Sequence, residues 1–122
     1  MAEDPRRDEA LIRERIDGLR ELVAEDPDDT TTRFMLGNEL ARLGEHAEAA
    51  AHFGAILEVD PDYTAAYRGL GRARVALGDL EGARTVFEAG VAVAERTGDI
   101  QSGREMESFL RRYVEGGGNG GA

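Results

Sequence analysis

Apolar residues recur along this chain at helical intervals. Ile12, Ile16, Leu19 and Val23 are spaced by three and four, which puts them on one helical face. Phe53, Ile56 and Leu57 repeat the i, i+3, i+4 pattern in mid-chain, and Met106, Phe109, Leu110, Tyr113 and Val114 repeat it near the end. Boundary residues punctuate these stretches. Asp4-Pro5 supplies an N-cap followed by proline at the first helical position. Gly44 and Gly78 follow periodic stretches, as C-terminal signals do, and Pro61 pushes the residue before it out of helical geometry. The pattern predicts six helices, at 5–25, 31–43, 47–58, 64–77, 81–95 and 99–114, and no strands. Their expected core is Ile12, Ile16, Leu19, Leu36, Leu40, Phe53, Ile56, Leu57, Leu70, Phe87, Phe109 and Leu110.

The pattern also repeats at long range. The triplet DPD stands at 26–28 and again at 60–62, 34 residues later. A shift of 34 brings Leu36-Gly37 onto Leu70-Gly71, Leu43-Gly44 onto Leu77-Gly78, Ala49 onto Ala83 and Phe53 onto Phe87. The matched types are the structurally demanding ones. Gly37, Gly71, Ala49 and Ala83 are small where two antiparallel helices must approach closely. A helix-turn-helix unit repeated in tandem explains both the period and the residue types.

This spacing and these identities resemble the tetratricopeptide repeat (TPR), and the strict resemblance covers residues 30–97. Tyr67, Leu70, Gly71, Gly78, Ala83 and Phe87 match the family pattern in the second unit. The first unit keeps Leu36, Gly37, Ala49, Phe53 and Pro61 but has Arg33 in place of the aromatic; the second ends in Glu95 instead of proline. The resemblance implies an all-α, right-handed helix-turn-helix solenoid of about six antiparallel helices in a single domain over 1–115. Its parts are an N-terminal capping helix (5–29), repeats at 30–63 and 64–97, and a C-terminal capping helix (98–115). Arg15 stands one repeat before Ala49, where a full unit needs a small residue, which fits a face that no preceding helix covers. Arg104, Glu105 and Arg112 replace Leu70, Gly71 and Gly78 in the last helix, giving it a polar outer face. Both ends are therefore expected to be polar. The run GGGNGGA at 116–122 cannot hold a helix and is expected to be a flexible tail.

Composition narrows the function. Twenty-five acids oppose fifteen bases, all of them arginine, for a net charge of −10. An acidic surface repels a phosphate backbone, so no nucleic acid partner is expected. The absence of lysine fits a high-GC or salt-adapted source. No run approaches the roughly 18 apolar residues of a membrane-spanning helix, and MAEDPRRDEALIRERID has no apolar h-region. No membrane partner is expected, and the cytoplasm is the default location. Cysteine is absent, which removes disulfides and thiolate chemistry. His46 and His52 project from different faces of one helix, and His52 with Glu48 offers only two ligands. Both histidines are expected to face solvent. Ser102 and Ser108 have no histidine nearby in the sequence. No enzyme, metal site or cofactor is expected.

One local anomaly points to a binding surface. No acid occurs from Tyr63 to Gly78, and that stretch carries Arg68, Arg72 and Arg74. Arg68 and Arg72 are four apart, hence on one helical face. The TPR resemblance implies that the first helix of each unit lines a concave groove, with its fifth and ninth positions facing inward. Those positions are Phe34 and Asn38 in the first unit and Arg68 and Arg72 in the second. Some family members grip a peptide's C-terminal carboxylates with a clamp whose asparagine Asn38 matches. Phe34, Gly69, Asp99 and Gly103 depart from the other clamp positions, so that clamp is not assigned. The leading expectation is a protein-interaction module whose groove takes a partner peptide or segment through Phe34, Asn38, Arg68 and Arg72, with an acidic one matched to the two arginines. Pairing of the two arginines with neighbours such as Glu39 or Asp62 is the bland alternative for that surface. The rival function is a self-association unit, a weak homo-oligomer in place of a monomer.

Overall fold

The computed structural model describes residues 4–116. These form α1 (Pro5–Glu25), α2 (Thr30–Arg42), α3 (His46–Val59), α4 (Thr64–Ala76), α5 (Leu80–Thr97) and α6 (Ile100–Phe109), the last continued by a π-helical segment, Leu110–Glu115. No strand occurs among the described residues. Each expected helix is present, with ends within about two residues, and only the π-helical continuation was unforeseen. Of the expected tail, only Gly116 lies among the described residues.

The helix ends follow from local chemistry. The Asp4, Asp29, Asp79 and Asp99 carboxylates each accept a hydrogen bond from the backbone N–H two or three residues on, at 2.9–3.2 Å. Gly44 and Gly78 take φ of +79° and +81°, a left-handed conformation that glycine adopts without a Cβ clash. The two DP turns are tied down in the same way by different side chains. Arg33 Nε donates to the Pro27 carbonyl at 2.7 Å, and 34 residues later the Tyr67 hydroxyl donates to the Pro61 carbonyl at 2.7 Å. Arginine can therefore replace the aromatic in the first unit, because the shared task is to reach that carbonyl.

Each helix packs on the next, while α2, α4 and α6 also touch one another and form one layer of the solenoid. The core falls into two clusters along the stack, one over α1–α4 and one over α5, α6 and the π-helical segment. Phe53 reaches from α3 to the next layer between Gly37 of α2 and Gly69 of α4, where a Cβ on either glycine would come within 2.7 Å of the ring. Phe87 fits against Gly71 in the same manner, with a Cβ falling 2.6 Å or less from three of its ring atoms. Leu36, Leu40, Ile56, Met106 and both rings are fully buried. Ile12, Leu57, Phe109 and Leu110, expected in the core, are only partly buried. The last two lie beyond α5, where no later helix covers them among the described residues.

Two expectations need correction. His52 does not face solvent: its side chain is 15% exposed, held between Arg33 Nη1 (3.0 Å to Nδ1) and Glu48 (3.5 Å from Nε2). Three elements converge there, since Arg20 of α1 grips Glu48 with a fork at 2.6 and 3.0 Å. The ends of the stack are not uniformly polar either. The α1 end leaves Leu11, Leu22 and Met35 about half exposed, and at the α6 end Ile100 is 67% exposed among Gln101, Arg104, Glu105 and Ser108.

Candidate functional site

The α2–α4–α6 layer carries the site. Thr64–Ala76 holds arginines on a helix whose small residues, Ala66, Gly71 and Ala73, are buried against its neighbours; Arg72 is exposed and Arg68 half-buried, while Arg74 turns away to Asp79 at the start of α5. Between α2 and α4 lies a cleft of about 540 Å³ with an apolar floor that includes Phe53, Ala73 and Val75. Asn38, His46, Arg72 and Tyr113 stand around it. Arg72 and Asn38 thus share one concavity, as expected from their positions.

The four residues picked out in the sequence occupy different environments. The Arg72 guanidinium lies over the Phe109 ring, 5.4 Å from its centroid, and has no carboxylate partner among the described residues. A cation held against an aromatic face keeps its hydrogen-bond donors available. Asn38 is exposed. Arg68 is already engaged, donating from Nη1 to Glu105 on α6 at 2.8 Å. The expected pairings with Glu39 and Asp62 are absent because those acids serve Arg15, Arg42 and Arg96. Phe34 is partly buried, its ring stacked against Phe53 and Tyr63 with centroids 5.9 and 5.4 Å away. It shapes the wall one turn from Asn38.

Sequence reasoning missed three contributors, all from the last helix: Glu105, Phe109 and Tyr113. Tyr113 closes the cleft on the α6 side, and Phe109, with its centroid 5.9 Å from that of Tyr113, supports Arg72. Their periodic stripe was visible, but it read as core. The positions that depart from the carboxylate clamp have structural duties. A side chain on Gly69 would strike Phe53. Asp99 caps α6 and accepts from the Thr64 hydroxyl at 2.7 Å, which with the Ser102 bonds holds its carboxyl below the usual range. Gly103 is buried, with a Cβ there only 3.3 Å from the Ala94 methyl.

No cluster of three or more His, Asp or Glu placed to hold a metal occurs among the described residues, and none of their helices is long and apolar enough to cross a membrane. The architecture is that of an all-α repeat solenoid, whose stacked hairpins expose one extended concave layer.

Comparison with known proteins identifies the repeat. The tetratricopeptide repeat family model matches residues 34–100. The chain is 42% identical over 97 residues to TPR repeat-containing protein PA0015 of Pseudomonas aeruginosa, spanning 80% of this chain and 92% of that one. Its fold is similar to the solution structure of protein BPP2914 from Bordetella parapertussis, with a TM-score of 0.71, 35% identity, and coverage of 82% and 87% of the two chains. The TPR2B domain of yeast Sti1, solved in complex with pHsp70, shares the fold at a TM-score of 0.80 and 19% identity, covering 88% of this chain and 86% of that one. The chain belongs to the tetratricopeptide repeat family. Proteins of this family are in general non-catalytic modules for protein–protein interaction.

Proposed function

We propose that this protein binds a segment of a partner protein in the concave layer, across the α2–α4 cleft, and that the segment is acidic. The carrying observation is Arg72: a guanidinium without a carboxylate partner among the described residues, fixed over Phe109 at the edge of a cleft with an apolar floor. An acidic side chain of the partner would take the forked donors of Arg72, and an apolar neighbour would fill the cleft beneath. Asn38, facing the same concavity, offers an amide to the partner's backbone. Phe34 and Arg68 extend the wall one helical turn toward the start of α2 and α4. Arg68 contributes less, since a ligand carboxylate must displace Glu105 or share the guanidinium with it.

Titration of acidic peptides, or of the native partner, tests this directly. A hydrogen bond to a charged group contributes about 1.5–3 kcal/mol, so Arg72→Ala should weaken binding roughly 10- to 100-fold. Arg68→Ala should weaken it less. Amide shifts of the bound protein should map to α2, α4 and the segment around Tyr113. Equal binding by the Arg68→Ala/Arg72→Ala double variant, or shifts confined to α3 and α5, would overturn the reading.

A further inference from the structure

The α1 end of the stack carries a stripe that its own fold does not use. Ile12, Ile16, Leu19 and Val23 turn toward α2 and the core. The residues one position earlier, Leu11, Arg15, Gly18 and Leu22, recur at intervals of four, three and four and so line a second face. Leu11 and Leu22 are 50% and 51% exposed. Arg15 reaches to Glu39 of α2 at 3.3 Å, and Met35, 49% exposed, lies one turn before Glu39 on the same side of α2. Three of the large exposed apolar side chains therefore border one end face. Gly18 sits in the middle of a 21-residue helix with open space where a Cβ would stand. A mid-helix glycine is penalised, and no contact among the described residues explains it.

The stripe complements itself when reversed. Continued by one turn each way, it runs Arg7, Leu11, Arg15, Gly18, Leu22, Glu25. Laid antiparallel on a copy of itself, Leu11 meets Leu22, Gly18 meets Arg15, and Arg7 meets Glu25. Arg7 and Glu25 both lack an ion-pair partner among the described residues, whereas most arginines of the chain have one. Arg15 would enter the contact already neutralised by Glu39. The opposite end of the stack offers no equivalent stripe: its outer face mixes Ile100 and Phe109 with Gln101, Arg104, Glu105 and Ser108. A face that meets its own copy makes an isologous contact, which closes as a twofold pair and does not grow into a filament.

We propose that this end face is the interface with a second copy of the chain, formed by antiparallel packing of α1 on α1 about an axis near Arg15 and Gly18. Alpha1 is about 32 Å long at 1.5 Å per residue. One helix face with two leucines and a flanking methionine falls at the small end of specific interfaces, so the pair is weak and forms at high concentration. Each copy carries −10, and screening of that repulsion strengthens the pair as salt rises.

Sedimentation velocity on the full chain, from about 10 micromolar to about 1 millimolar, spans the range suited to so small an interface. A dimer fraction that grows with concentration, and grows again between low salt and about 0.3 M, is the expected result. Leu11→Asp/Leu22→Asp should abolish it with helical circular dichroism unchanged. Arg7→Glu and Glu25→Arg should each weaken the dimer by up to about tenfold, because each replaces two attractive contacts by two repulsive ones. The two changes combined in one chain should restore wild-type association. That charge cycle decides the question even if the aspartate variant fails to fold. A wild type that stays monomeric throughout, which would leave the face to a different protein, overturns the proposal. So does a dimer indifferent to these changes, or one not restored by the combined swap. Growth beyond dimer overturns it as well.

Discussion

The same substitution, glycine to alanine, should move stability in opposite directions at two helical positions of this chain. At Gly18 a Cβ meets nothing within 4 Å, so Gly18→Ala gains only helix propensity, about 0.8–1 kcal/mol. At Gly71 the Cβ lands 2.6 Å from two ring atoms of Phe87, a residue with no exposed surface and nowhere to retreat. Overpacking of this kind costs about 1–3 kcal/mol, and so deep an overlap points to the upper end. Subtracting the propensity gain leaves Gly71→Ala about 2 kcal/mol less stable than wild type. For a chain of 122 residues, 1 kcal/mol corresponds to about 4 °C in Tm. The expected shifts are then about +4 °C for Gly18→Ala and about −8 °C for Gly71→Ala. Thermal and urea unfolding at low protein concentration, where any pairing through α1 is absent, would measure both. If the two variants shift in the same direction, close packing of Phe87 on Gly71 is not what excludes a side chain there, and the account of the repeat's small residues fails.

Two further outcomes follow from buried groups at either end of the stack. Met106 is fully buried and Phe109 only partly, so Met106→Ala should cost about 2–5 kcal/mol and Phe109→Ala clearly less, by urea unfolding; the reverse order would mean that the aromatic edge, rather than Met106, anchors α6. Burial holds His52 neutral below its ordinary titration range, reinforced by Arg33 and Arg20 and opposed by the Glu48 carboxylate. The unfolded chain therefore takes up the proton first, so stability present above about pH 6.5 is lost as pH falls toward the folded value. Below that window Glu48, whose carboxyl is held down chiefly by Arg20, adds a second loss of the same sign. Tm measured from pH 7 to pH 5 should fall more steeply for wild type than for His52→Gln, and parallel curves would refute the assignment.

How far the fold could be read from the sequence depended on which interactions lie close along the chain. Caps, turns and the 34-residue period are local or periodic, and every helix was legible from them. Long-range charge pairing was not. Arg68 finds Glu105 37 positions away and Arg20 finds Glu48 28 positions away, intervals that no pattern of spacing singles out. His52 looked like a surface residue for the same reason, since its shell comes from three separate helices. Periodicity also ranks large side chains first, and so it passed over Ala66 and Ala94, both almost fully buried where helices nearly touch. At the chain's ends the error ran the other way. Phe109 and Leu110 had core-like spacing but no later helix to bury them, and Leu11 and Leu22 were hidden in a segment that read as a polar cap.

The groove shows how packing limits what a binding surface can carry. Each position on the α2–α4–α6 layer must satisfy its own hairpin before it can serve a ligand. Gly69 must stay bare for Phe53, Gly103 must stay small beside Ala94, and the Asp99 carboxylate is consumed in capping α6 and holding Thr64. A clamp of the kind that grips terminal carboxylates needs polar or basic side chains at those positions, so a few packing decisions remove it. What survives is a smaller set: Asn38 free on α2, Arg72 supported from beneath by Phe109, and Tyr113 closing the far side. Arg72 shares with Arg112 an aromatic support and the lack of a carboxylate partner among the described residues, but of the two only Arg72 lines the cleft. The electrostatics of this surface therefore point at Arg72 more sharply than at the pair of arginines that the sequence offered.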